Sequence, residues 1–175
     1  EIIIEVNEVF KKYDDATVLD NVSLEIEKGK IYGLVGRNGS GKTVLMKCIC
    51  GLIKPTSGEV KVAGKTVGKD VDIPEDIGVI IETPGFIPNY SGFKNLKLLA
   101  SVRNKISNEE IRKSMEIVGL DPKSRKHVGK YSLGMRQKLG IAQAIMEKPK
   151  ILILDEPMNG LDNESVAVVR KILKE

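Results

Sequence analysis

The chain begins with strand-like patterning. Ile2 to Phe10 reads as one strand, and Val22-Ser23-Leu24-Glu25-Ile26-Glu27 alternates apolar and polar residues with a period of two, as a strand with one buried face does. A Lys28-Gly29-Lys30 turn leads into Ile31-Tyr32-Gly33-Leu34-Val35, whose unbroken apolar character predicts a buried strand. Val44 to Leu52 then reads as a helix stopped by Gly51 and Pro55. Gly58 to Val67 predicts a hairpin turning at Ala63-Gly64-Lys65, and Ile77 to Ile81 a further buried strand.

The pattern changes in the middle of the chain. Ser91 to Arg103 and Ser107 to Val118 carry helical spacing, and Ser107-Asn108-Glu109-Glu110 has the form of a capping box. Gly119 ends the second of these helices, and Asp121-Pro122 opens the next turn. Ser132 to Glu147 is helical up to Pro149, Ile151 to Leu154 is a buried strand, and Asn163 to Leu173 is a last helix. These elements predict an α/β fold: an antiparallel β portion near the start, an α/β core, and a helical insert at about residues 88–130.

Composition narrows this only at the edges. With 175 residues, 41% hydrophobic and 30% charged, the chain is that of one globular domain rather than a disordered or fibrous polymer. Its longest apolar runs fall far short of the roughly 20 residues that cross a bilayer, and its start lacks the features of a secretory signal. A cytoplasmic protein is expected. The first residue is not Met and the last helical run reaches Glu175, so the stretch reads as part of a longer chain. A net charge of +4, interspersed along the sequence, leaves no electrostatic footprint for nucleic acid. Cys48 and Cys50 are two apart in a helical run and do not share a face, so buried free thiols are expected there rather than a bridge or a zinc site. Met46, Met115 and Met146 are read as core filler, His127 as a surface residue, and Phe86 and Ile87 as either core or partner-facing.

Chemistry enters with Gly36-Arg37-Asn38-Gly39-Ser40-Gly41-Lys42-Thr43, which fits GxxxxGK(S/T) in a strand, loop, helix context. Glycines let the backbone wrap close to phosphates, so that several N–H groups and the positive helix end face them. Lys42 is expected to reach the β and γ phosphates and Thr43 to ligate Mg²⁺. Further on, Ile151 to Leu154 ends in Asp155-Glu156. A carboxylate at the end of a buried parallel strand points into the crevice where nucleotides sit in such sheets. Asp155 is expected in the Mg²⁺ shell and Glu156 to polarise the attacking water. Together these describe a P-loop nucleoside triphosphatase with a RecA-like core.

Tyr131-Ser132-Leu133-Gly134-Met135-Arg136-Gln137 resembles the signature of ABC-type ATPases, usually LSGGQ, and Asn159-Gly160-Leu161-Asp162 resembles their D-loop. The motifs stand in the ABC order, and Tyr13 falls where that family has an aromatic residue. The resemblance implies that Tyr13 stacks on adenine, and that Ser132 and Gly134 grip the γ-phosphate of an ATP held by a second subunit. It implies also that Asp162 lines the interface of a head-to-tail dimer with two sandwiched ATP molecules, and that a separate transmembrane permease is the partner.

Departures from the pattern matter too. Leu133 and Met135 replace the usual Gly and Gln of the signature. Glu82 stands where the family has Gln, and is expected to face Mg²⁺ or water as an acceptor. Glu82 with the following Pro84-Gly85-Phe86 and Pro88-Asn89-Tyr90 resembles the ATPase subunits of bacitracin and lantibiotic export and immunity systems. The family's switch His lies beyond the D-loop helix and the stretch ends before it, so this stretch is expected to bind nucleotide and turn over ATP slowly. Two other functions compete. A soluble ABC ATPase acting on the ribosome or DNA would need a long insertion or a second cassette, and a GTPase switch an Asn-Lys-x-Asp motif; neither pattern occurs.

Overall fold

A computed structural model describes residues 1–175. The chain resolves into two compact units, Glu1–Glu75 and Asp76–Glu175.

The first unit is built on an antiparallel sheet. Strands β1 (Ile2–Tyr13), β2 (Ala16–Glu27), β3 (Ser57–Val62) and β4 (Lys65–Thr66) lie in the order β2-β1-β3-β4. Val6 pairs with Leu24 on one side and Val60 on the other. Ile4, Val6 and Val9 are all buried, although Val9 is out of phase with the other two. A register shift between Val6 and Val9 accounts for this, because one extra residue flips the side-chain alternation. Glu8 sits at that irregularity with φ +46°, and Gly58 packs so close to its carbonyl that a Cβ would collide with backbone. Helix α1 (Lys42–Ile49) lies against β2 and β3 and buries Leu45, Cys48 and Ile49. Both thiols are free and buried, and burial pushes Cys50 up to about 12.

One sequence expectation fails in this unit. Ile31 to Val35 is no strand, and every residue in it is exposed, Val35 at 98%. The sheet of this unit is antiparallel throughout, whereas an apolar run of that kind needs parallel neighbours and cover on both faces.

In the second unit, β5 (Ile77–Ile80) and β6 (Ile151–Leu154) pair in parallel, Ile77 opposite Ile151 and Ile80 opposite Leu154. Helices α2 (Gly92–Arg103), α3 (Asn108–Ile117), α4 (Leu133–Ile145) and α5 (Asn163–Ile172) surround a core that includes Leu96, Ile111, Met115, Leu139 and Ile141. Each helix starts at a side-chain cap: Ser91, Ser107, Ser132 and Asp162 accept hydrogen bonds from the backbone N–H of Lys94, Glu110, Met135 and Ser165. The capping box at Ser107 and Glu110 forms as expected. Each cap is worth about 1 kcal/mol against alanine. The loop before α2 is pinned by buried Asn95, whose amide bonds Ile87, Tyr90 and Ser91. Phe86 packs on the core, Ile87 is 40% exposed, and His127 lies on the surface.

Candidate functional site

The glycine loop leads into α1 as expected, without the strand expected before it. Gly39 and Gly41 have φ of +79° and +90°, which L side chains rarely adopt, and a Cβ on Gly41 would come within 2.7 Å of the Val18 carbonyl oxygen. Only glycine serves there. Gly41 is also the N-cap of α1, and no side chain caps that helix, in contrast to α2 through α5. An uncapped start presents backbone N–H donors and the positive end of the macrodipole to an incoming anion. The Lys42 ammonium closes over the same loop, donating to the carbonyls of Gly36 at 2.6 Å and Arg37 at 2.9 Å, with Ser40 Oγ at 3.5 Å. Asn38 lies in the exposed part of the loop, and Thr43 follows Lys42 in the first turn of α1. Tyr13 ends β1 beside the β1–β2 turn, 43% exposed, with the Lys11 ammonium 4.9 Å from its ring centroid.

In the second unit the carboxylates meet because two paired strands end together. The ladder of β5 and β6 extends one step further as the Asp155 N–H donates to the Ile80 carbonyl at 2.7 Å. Glu82 follows β5 and Asp155-Glu156 follow β6, so all three acids reach one edge and border one cleft of about 170 Å³ with Arg136 and Gln137. Glu82 and Glu156 both have left-handed backbone, φ +62° and +48°. For residues with side chains this costs on the order of 1–3 kcal/mol each, and surrounding contacts must hold it.

Helix α4 borders that cleft. Ser132 is exposed at its N-cap, with Oγ accepting from the Met135 N–H at 3.1 Å. Gly134 permits close approach: a Cβ there would stand 2.9 Å from the Gly160 carbonyl oxygen. Asp162 caps α5, and the Ser165 backbone N–H holds its carboxyl below the usual range. Thus Asp162 has a local structural use beside any role at an interface.

Comparison with known proteins then decides the family. Residues 19–159 match the family model described as ABC transporter. The chain belongs to the ABC transporter family. It is an ATPase cassette of that family, with an α/β P-loop fold. The cassette is 48% identical over 171 residues to an uncharacterized ABC transporter ATP-binding protein, YybJ, of Bacillus subtilis (strain 168), covering 98% of this chain and 78% of that protein. It is 45% identical over 174 residues to the bacitracin transport ATP-binding protein BcrA of Enterococcus faecalis, covering 99% of this chain and 56% of that one. It is 38% identical over 172 residues to the lantibiotic transport ATP-binding protein SrtF of Streptococcus pyogenes, covering 98% and 74%. The fold matches the dimeric post-hydrolysis ATP-binding cassette MJ0796 bound to ADP and Pi, with a TM-score of 0.87, 23% identity, and coverage of 98% of this chain and 81% of that one.

Within this ABC cassette, sequence reasoning passed over Gln137. It was part of the signature stretch and carried no role, yet it is 7% exposed and its side-chain amide donates to the carbonyls of Glu156 at 3.3 Å and Pro157 at 3.0 Å. A buried polar residue in an otherwise apolar helix stripe is the signal that would have found it.

Proposed function

We propose that this cassette belongs to a transporter in which ATP binding closes a head-to-tail dimer of cassettes, hydrolysis reopens it, and a separate transmembrane permease does the moving. The observation that carries the hydrolytic reading is the convergence of Glu82, Asp155 and Glu156 on one cleft at the ends of β5 and β6. Glu156 is then the base that polarises the attacking water, with Glu82 as an additional acceptor facing metal or water. In the other unit, the glycine loop from Gly36 to Thr43 binds the phosphates, Lys42 exchanging its carbonyl partners for phosphate oxygens. Tyr13 supplies a flat face for adenine. Ser132 and Gly134 serve the nucleotide of the second subunit, and Asp162 the interface between the two.

The residues suit Mg²⁺. Thr43 offers a hydroxyl and Asp155 and Glu82 carboxylates, the hard oxygen donors that this ion prefers. When bound, Mg²⁺ neutralises charge on the β and γ phosphates.

The cargo is a peptide antibiotic, exported or resisted, and the working place is the cytoplasmic face of the membrane. Support comes from the similarity to BcrA, a bacitracin transport ATP-binding protein, and SrtF, a lantibiotic transport ATP-binding protein. In the full-length protein, Glu156→Gln tests the engine: ATP still binds while turnover falls about 10²-fold or more. Normal turnover in that variant would remove Glu156 as the base.

A further inference from the structure

The loops around the acidic cleft rest on one face of α4. Pro84, two residues past Glu82, packs on Gly140, where a Cβ would stand 2.7 Å from the proline Cγ. At the start of the helix a Cβ on Gly134 would stand 2.9 Å from the Gly160 carbonyl oxygen. Between them, at the same three-residue spacing and so on the same face, is Gln137. Its amide nitrogen has two hydrogens, and the adjoining loop presents two carbonyls, those of Glu156 and Pro157. The Glu156 carbonyl also accepts from the Asn159 N–H at 3.1 Å, which leaves both its lone pairs engaged. Glu156 is the residue whose backbone sits at φ +48°, a conformation that needs external restraint.

From this geometry we infer that Gln137 is a positioning residue for Glu156: its amide clamps the Glu156-Pro157 backbone and so holds the Glu156 carboxylate at the edge of the cleft. The inference rests on the reading of Glu156 as the base that polarises water. A base acts only within hydrogen-bond reach of the water, and a displacement of about 1 Å costs on the order of 10²-fold in rate. Bridging two carbonyls takes a side chain with two donors, which neither a carboxylate nor an apolar residue supplies.

The test uses the full-length protein and three variants. Gln137→Met keeps length and burial and removes both donors. It should lower kcat for ATP about tenfold or more while the KM for ATP and the affinity for a fluorescent ATP analogue stay within twofold. In a Glu156→Gln background the same change should lower the residual turnover no further, since the group it positions is already gone. Should Gln137→Met not fold, Gln137→Asn, one methylene too short to reach both carbonyls, takes its place with the same expectation. Normal kcat in a folded Gln137 variant beside a slow Glu156→Gln overturns the clamp and leaves the base assignment standing. Equal losses in kcat and nucleotide affinity, or an undiminished effect in the Glu156→Gln background, also overturn it. Full turnover in Glu156→Gln alone overturns the base assignment and the clamp together.

Discussion

Lys42 carries one observed set of contacts and one proposed role. Its ammonium is held by the carbonyls of Gly36 and Arg37, contacts that the proposed phosphate binding would replace. Charge-assisted bonds of this kind are worth roughly 1.5–3 kcal/mol. Lys42→Ala is therefore expected to weaken ATP binding on the order of 10- to 100-fold in a fluorescent-nucleotide titration, and unchanged affinity would remove Lys42 from the phosphate site. Gly41 gives a prediction of a different sort. At φ +90°, with the Val18 carbonyl 2.7 Å from where a Cβ would be, Gly41→Ala forces the loop to shift. Urea unfolding should show a loss of at least about 1–3 kcal/mol, from backbone strain before any nucleotide is added. Both residues were legible in the sequence, because a phosphate loop is a local object whose spacing states its shape. Gln137 was not, since its partners are the carbonyls of residues about twenty positions away.

At the scale of elements, the helices of the second unit depend on their caps. Ser107 and Glu110 satisfy each other's backbone donors at the start of α3, and Ser107→Ala should cost about 1 kcal/mol in chemical denaturation. The Ser107 backbone N–H, followed by Lys148, holds the Glu110 carboxyl below its ordinary range, and the Ser165 N–H does the same for Asp162. A carboxylate whose folded pKa is lowered adds stability that is complete above the unfolded value, near 4, and is lost as pH falls through the folded value. Glu110→Gln should consequently destabilise the protein at pH 7 and leave it equal to the parent near pH 2, in urea unfolding at the two pH values. The cap at Ser107 was readable as Ser ahead of a periodic run with Glu three residues on, whereas Asp162 was expected only at an interface and its cap on α5 came from the structure. The strand expected at Ile31 to Val35 was misread for an equally physical reason: an apolar run states that it prefers burial, and a ladder forms only where another strand presents a matching edge.

For the whole molecule, no helix is long and apolar enough to cross a membrane, and the proposed transport assigns the moving to a separate membrane permease. Gentle detergent purification of the full-length protein should bring down a multi-spanning membrane protein in stoichiometric amount; ribosomes or DNA in its place would leave the ATPase standing and change its task. The sequence by itself determined the glycine octet, the strand ending at Asp155-Glu156, the helices of the second unit and the order of motifs, because each is a matter of neighbours and short periods. Tertiary structure decided the rest. It brought Glu82 to Asp155 and Glu156 by pairing β5 with β6 in register, set Glu82 and Glu156 in left-handed backbone, and placed the Gln137 amide beneath Glu156. Those arrangements arise from contacts between residues far apart in the chain, which side-chain pattern and spacing along the sequence do not encode.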